Sequence, residues 1–360
     1  MWRKIARVAG FILAVILIIA YICCASHLAE AHRSEQCVEE VVIEVSNSSP
    51  TLHFTTPSAI EEQLAGAGLY AKGEEIDDVD AVKIANYLAK NGFVERADVY
   101  TTYSGRMYIN IYQHQPLLRL MCKGYNSYIT AEGDIFRVPR GSACYLPVVT
   151  GNYKPIFSPE FEGGAEECLA EMLKVEEEKV KMLANEYGEL NRERVTLVSE
   201  IGDLKKSMKK GFFESEKRFD VRKAGIESRL QECNSKLAQV KEQMNEVKGR
   251  EKPIAERRKK LEREYKIFTN LTNFVARMSR DSFWSAEVVQ FVADRNSSDE
   301  LTLRLIPRSG DFVVEFGTLE GCDEKLEKLR HFYEKGLSQI GWSQYRVVDV
   351  RFDKQVICTK

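Results

Sequence analysis

The N-terminal segment is the feature that most constrains how this 360-residue chain can fold. No Asp, Glu, Lys or Arg lies between Arg7 and Glu30, and most side chains in between are apolar. As an α-helix this run would be roughly 33 Å long. That length matches the hydrocarbon core of a bilayer, which is about 30 Å thick. We therefore predict a transmembrane helix over residues 8–28, with the rest of the chain outside the bilayer.

Basic residues before this run predict its orientation. Arg3, Lys4 and Arg7 precede it, so residues 1–7 should remain in the cytoplasm as a short tail and the C-terminal part should be exported. A cleaved signal peptide is the alternative, because Ala29-Glu30-Ala31 has the form of an A-x-A cleavage site. The run is longer and more uniformly apolar than the usual signal-peptide core, which favours a retained anchor.

Composition and motifs argue against several classes of function. A net charge of −2 gives no electrostatic argument for binding nucleic acid. The nine cysteines are scattered, and neither they nor the five histidines show the spacing of a metal site. No G-x-S-x-G or C-x-x-C element is present. We therefore expect no enzymatic activity, no cofactor, no metal and no small-molecule substrate.

Residues 37–115 predict a small α+β domain. An alternating β-branched run from Val38 to Val45 predicts the first strand. Two amphipathic helices follow, one containing Leu64 and one opened by Asp80. Two further alternating runs are joined at Ser104-Gly105, which is typical of a hairpin turn. The predicted order is β-α-α-β-β.

A mixed β domain follows, and a long helical segment interrupts it. Apolar residues repeat at heptad spacing in two stretches, one containing Leu183 and the other Val240, and the two are out of register across Gly211. That offset predicts an antiparallel coiled-coil hairpin over residues 163–270, inserted into a β domain formed by residues 116–162 and 271–360. A single continuous helix in a parallel dimer is the alternative, but it would carry the two parts of the sheet far apart.

Several motifs resemble those of one family. The run Asn91-Gly92-Phe93-Val94-Glu95-Arg96-Ala97-Asp98-Val99 resembles the N-P-(W/F)-V-x-x-A-x-V element of POTRA domains in FtsQ/DivIB cell-division proteins. Leu146-Pro147-Val148-Val149-Thr150-Gly151 is similar to that family's L-P-x-L-x-G. The stretch from Tyr345 to Ile357 resembles its Y-x-x-I-D-L-R-Y-x-x-Q-V-V ending. The chain departs from the pattern at Gly92, where the family has proline, and in the long hairpin.

The POTRA motif residues given by this resemblance are Asn91, Gly92, Phe93, Val94, Ala97 and Val99. The resemblance implies a non-enzymatic scaffold of the divisome, anchored in the bacterial inner (plasma) membrane at the division septum, with its C-terminus in the periplasm. The implied partners are bitopic division proteins of FtsB and FtsL type and, indirectly, the septal peptidoglycan synthase. No nucleic acid is implied.

Partner binding of this kind would proceed by β-augmentation, in which an extended segment pairs with an open sheet edge. The last strands are the predicted site, with the candidate contact residues Tyr345, Val347, Val350, Phe352 and Val356. The alternative for these residues is ordinary sheet core, as it is for Phe93 and Val94 in the POTRA domain. The alternative function is a periplasmic, membrane-anchored adaptor of an efflux or secretion system, because such adaptors also combine an anchor with a coiled-coil hairpin. The POTRA-like segment argues against it.

Overall fold

The computed structural model describes residues 13–26, 37–46, 54–139, 144–209 and 215–360. Residues 13–26 are helical with exposed side chains, and the remainder of the predicted span 8–28 lies outside the described residues. Within the described part of the chain, no helix has both the length and the apolar composition needed to cross a membrane. The architecture is mixed α+β and forms two compact units, described separately below.

The predicted POTRA-like order β-α-α-β-β is confirmed. Its elements are β1 (Glu40–Ser46), α1 (Pro57–Gly66), α2 (Ala81–Leu88), β2 (Val94–Thr101) and β3 (Arg106–Gln113). The sheet has the order β1-β3-β2, with β1 parallel and β2 antiparallel to β3. Helix α2 begins where the Asp80 carboxylate accepts a hydrogen bond from the Lys83 amide at 2.9 Å, which satisfies a free helical N–H. Leu64 and Leu88 pack the helices against Ile109 on one face of the sheet.

A ten-stranded sheet forms the other part of this first unit. Its strands are β4 (Pro116–Leu120), β5 (Ser127–Thr130), β6 (Asp134–Arg137), β7 (Val148–Gly151), β8 (Gly163–Gly164), β9 (Val288–Arg295), β10 (Leu301–Pro307), β11 (Val313–Gly317), β12 (Val347–Asp349) and β13 (Ile357–Thr359). The strand order is β13-β12-β11-β10-β9-β7-β4-β5-β6-β8. Strand β7 is parallel to both of its neighbours, β4 and β9.

The second unit consists mostly of two long helices, α3 (Ala165–Ser207) and α4 (Glu216–Arg280). The last residues of α4, from Val275 onwards, belong to the first unit. Ion pairs join Glu200 to Arg229 and Glu176 to Arg257. Of these two pairs, the one with the earlier residue on α3 has the later residue on α4. The helices are therefore antiparallel. Apolar residues at heptad spacing are buried between them, namely Leu183, Leu197, Ile201, Cys233, Val240, Met244 and Val247.

The remaining helices lie before β9 and after β11. They are α5 (Ser282–Glu287), α6 (Cys322–His331), a π-helical turn (Phe332–Leu337) and the short α7 (Ser338–Ile340). Leu326, Leu329 and Leu337 are buried along the inner face of this C-terminal helical segment. The segment therefore connects β11 to β12 and fixes where the last two strands begin.

Candidate partner-binding edge

Strand β13 forms one end of the ten-stranded sheet. It pairs antiparallel with β12, with Val348 opposite Cys358 and Asp349 opposite Ile357. In the part of the chain that the structure describes, no strand pairs with its other side. An unpaired edge presents a row of backbone N–H and C=O groups to any extended segment that approaches it. The geometry is therefore suited to β-augmentation.

A charged pair fixes the chain where it leaves β12. The Arg351 guanidinium donates to the Asp349 carboxylate from Nε at 2.9 Å and from Nη2 at 2.6 Å. Burial raises the pKa of Asp349, but the hydrogen bonds from Arg351 outweigh this effect, and the pKa lies below its usual value. Two parallel charge-assisted bonds define one orientation of both side chains. The loop between β12 and β13 therefore starts from a fixed point.

The aliphatic part of the Arg351 side chain also touches the neighbouring strand. Gly317, at the end of β11, has a φ of 73°, and a Cβ there would lie 2.8 Å from the Arg351 Cγ. The Lys328 ammonium donates to the carbonyl of Val350 at 3.1 Å and also to that of Phe352. Helix α6 and strand β11 thus hold the segment that leads to the edge strand.

The five predicted contact residues lie in different environments. Val347 is half-buried in β12. Val350 is fully buried directly after it, and its amide donates a hydrogen bond to the backbone carbonyl of Glu315. Tyr345 precedes the strand and contacts the ring of Phe332, with 6.2 Å between centroids. Phe352 is 43% exposed in the loop, and Val356 is half-buried before β13. The buried Val350 supports the edge from within, whereas Phe352 is open to solvent.

Alternation predicts two final strands, Tyr345–Phe352 and Gln355–Thr359, and both are shorter in the structure. The alternation from Tyr345 to Phe352 predicts one strand, but β12 contains only Val347–Asp349. The Asp349–Arg351 pair and the bonds from Lys328 take the chain out of the ladder. Ile357 lies in the edge strand itself and is 41% exposed, but it was not among the predicted contact residues. The sequence feature that could have indicated Ile357 as a contact residue is its apolar side chain in the last strand, two positions before the polar Thr359.

The POTRA motif residues have structural roles. Asn91 donates from Nδ2 to the Leu88 carbonyl at 3.0 Å and so closes the end of α2. Val94 is buried, and the side chains of Phe93, Ala97 and Val99 pack against the POTRA core. Phe93 also contacts a second cluster formed by Phe54, Tyr128 and Phe136, which joins the POTRA part to the larger sheet.

Among the described residues, no group of three or more His, Cys, Asp or Glu side chains is placed to hold a metal ion. His114 and His331 each lie near a single carboxylate, that of Asp134 at 3.8 Å and that of Glu327 at 4.0 Å. The edge of β13 offers backbone hydrogen bonds flanked by two exposed apolar side chains.

Comparisons with known proteins match two regions of the chain. Residues 35–112 match the family model described as a POTRA-like domain. Residues 238–359 match the model described as FtsQ/DivIB, C-terminal related, which includes β9 to β13 and the C-terminal part of α4. A search of curated proteins found no match. The two matched regions follow each other in the order that the sequence motifs predict.

Proposed function

The chain belongs to an FtsQ/DivIB-like family, and from this we propose that it is a non-enzymatic divisome scaffold that holds bitopic division proteins at the septum. The open edge of β13, inside the region related to the FtsQ/DivIB C-terminus, is the observation that supports this most directly. A partner segment of FtsB or FtsL type would add a strand there and position the septal peptidoglycan synthase indirectly.

Backbone pairing at this edge would supply much of the affinity, and side chains would supply the specificity. Phe352, in the loop before β13, and Ile357, in β13 itself, are exposed apolar groups, and Val347 and Val356 are half-buried. Tyr345 and Val350 would support the edge without contacting the partner, because they pack against the rest of the domain.

A charged substitution on the edge strand tests this proposal. Ile357→Asp should raise the Kd for a purified complex of FtsB- and FtsL-type proteins at least tenfold, because a charge on an edge strand opposes pairing. The matched control is Val82→Asp, since Val82 is 69% exposed on α2, outside the C-terminal sheet. The control should bind as the wild type does. An unchanged Kd for Ile357→Asp would exclude the edge of β13 as the binding site.

The cellular test uses the full chain with a fluorophore at its N-terminus. A midcell band that Ile357→Asp weakens and Val82→Asp leaves intact is expected for a divisome scaffold. A uniform envelope signal for the wild type would instead favour the transport-adaptor function. The two tests are independent, because one measures contact and the other measures location.

The membrane part of the proposal rests on residues 8–28. The described helix over residues 13–26 exposes large apolar side chains, including Leu13, Ile16 and Leu17, which suit a lipid environment. Replacing residues 1–28 by a cleavable export signal should move the protein from the membrane fraction to the soluble periplasmic fraction. Retention in the membrane fraction would show that another part of the chain anchors it.

A further inference from the structure

Three residues that weaken helices lie at one level of the hairpin. The ion pair between Glu186 and Arg250 places these parts of α3 and α4 side by side. Gly188 follows Glu186 by two positions, and Gly249 directly precedes Arg250, so the glycines lie at nearly the same height. Pro253 is one turn further along α4, inside the helix. Each helix is thus weakened at the same place.

The chemistry of these residues favours bending. Glycine is a poor helix former because its backbone has the most freedom to lose, and only proline is poorer. Proline has no N–H to donate, and its ring meets the carbonyl four residues earlier, which here belongs to Gly249. Sharp helix kinks occur almost always at proline, at Gly/Ser pairs, at π-bulges or where a group enters the hydrogen-bond ladder.

Packing is sparse from this level towards the end of α4. Between Val247 and Phe268 no residue of α4 is buried, and the structure describes every residue in that interval. One row of heptad positions continues with the exposed charged residues Glu251 and Arg258, and the other continues with Ile254 and Leu261, which are only half-buried. On the other side of the level, Val240, Met244 and Val247 are buried. Few buried apolar contacts are a mark of low local stability.

We propose that the hairpin contains a hinge at the level of Gly188 and Gly249, at which its outer part changes direction relative to its inner part. The outer part of α3, from Gly188 to Ser207, is roughly 30 Å long. A bend of about 30–40° there would displace the outer end by about 15–19 Å and shorten distances measured across the hinge by about 2–4 Å. Such a hinge would let one hairpin reach targets at different positions without unfolding its seam.

Distance measurements on the full chain test the hinge. Spin-labelled amino acids at Glu166 and Lys205, both exposed on α3, would lie about 58 Å apart in a straight helix. Labels at Glu166 and Lys181 lie on one side of Gly188, about 22 Å apart. We expect a distribution for the long pair that is broader by about 2–4 Å, with a shoulder at shorter distance, because a bend shortens only that pair.

The variant that should remove the hinge combines Gly188→Ala, Gly249→Ala and Pro253→Ala. No atom lies within 4 Å of a Cβ added at either glycine, so the methyl groups fit. Its matched control combines Gly202→Ala and Gly225→Ala. These glycines lie in the same two helices, and a Cβ added at either one also meets no atom within 4 Å. The triple variant should narrow the long-pair distribution to that of the short pair, and the control should not. A wild-type long pair as narrow as the short pair, or no narrowing in the triple variant, would overturn the proposal.

Discussion

At the scale of single residues, Gly92 lies where the POTRA part closely approaches the larger sheet. A Cβ at this position would lie 3.0 Å from the Cβ of Phe136 and 2.9 Å from the Cδ of Glu162. The Phe136 Cβ is fixed by its strand, and the Glu162 carboxylate accepts hydrogen bonds from the amide and Nε of Arg137 at 3.1 and 3.2 Å. Neither neighbour can move freely, so glycine permits the close approach between the POTRA part and the larger sheet.

We expect Gly92→Ala to lower the free energy of unfolding by about 1–3 kcal/mol through overpacking of this junction. The matched control is Gly66→Ala, because a Cβ there meets no atom within 4 Å and alanine favours the helix. Urea unfolding followed by tryptophan fluorescence measures both variants. If the two variants have the same free energy of unfolding, the neighbours of residue 92 can accommodate a Cβ without destabilising the fold.

The Asp349–Arg351 pair makes a prediction about pH. The folded pKa of Asp349 is depressed: burial opposes this, but the hydrogen bonds from Arg351 prevail. A depressed carboxyl adds stability above its unfolded pKa of about 3.9, and that stability is lost as the pH falls through the folded value. Asp349→Asn should therefore cost about 1 kcal/mol at pH 7.

This difference between wild type and Asp349→Asn should shrink as the pH falls below about 4, which unfolding curves at a series of pH values will measure. Asp203→Asn is the control, because Asp203 is 71% exposed and its surface pair with Lys206 contributes little. A difference that stays constant down to pH 2 would mean that ionisation of Asp349 does not stabilise the fold.

At the scale of elements, periodicity decided what the sequence could predict. The β-alternation of β2 and β3 and the heptads of α3 and α4 are local patterns, and the structure has these elements. The end of β12 depends on side chains that meet from separate elements, such as Lys328 and Arg351, so alternation alone overestimated its length. The predicted contact residues lie in or around β12 and before β13, and Ile357, in β13 itself, was not among them.

A buried acidic residue, Glu176, lies at a heptad position of the hairpin seam. Glu176 lies seven residues before Leu183, is buried, and contacts Lys179 at 2.8 Å and Arg257 at 3.1 Å. The side chains of Lys179 and Arg257 are 47% and 68% exposed, so both can be rehydrated. Buried polar groups in coiled coils fix register at a cost in stability.

We therefore expect Glu176→Leu to raise the free energy of unfolding of the hairpin by about 1 kcal/mol, since an apolar side chain replaces a charge in the seam. Helical circular dichroism during thermal unfolding measures this effect. Glu177→Leu is the control, because its side chain is 56% exposed and lies outside the seam. A destabilised Glu176→Leu variant would show that the charge network stabilises the hairpin in itself.

At the scale of the whole molecule, strands that precede the hairpin in sequence pair with strands that follow it, and this pairing holds the first unit together. Strand β7 pairs in parallel with β9, and Gln290 donates to the Thr150 hydroxyl at 2.7 Å. Gly151, with a φ of 105°, allows the backbone of Ala293 to approach closely. Parallel pairing between segments so distant in sequence leaves no local signal, which is why the sequence predicted two β regions but not how they join.

This pairing makes a prediction about the insertion. Replacing Ala165–Tyr265 by a Gly/Ser linker should leave a folded first unit, because the ladders from β9 to β13 and the β7–β9 pairing do not involve the removed residues. The exact length of the linker matters little, because each doubling of the length of a flexible loop raises the free energy of closing it by only roughly 0.6 kcal/mol. Dispersed amide resonances and one cooperative unfolding transition are the expected result.

The same variant separates the hairpin from the partner edge. If β13 binds the division proteins, the shortened chain should bind the FtsB- and FtsL-type complex with the wild-type Kd, because Ile357 and Phe352 are retained. Ile357→Asp in the shortened chain should weaken that binding as it does in the full chain. Aggregation of the shortened chain would show that the first unit needs the hairpin to fold. Loss of binding by a well-folded shortened chain would instead assign part of the partner contact to the hairpin.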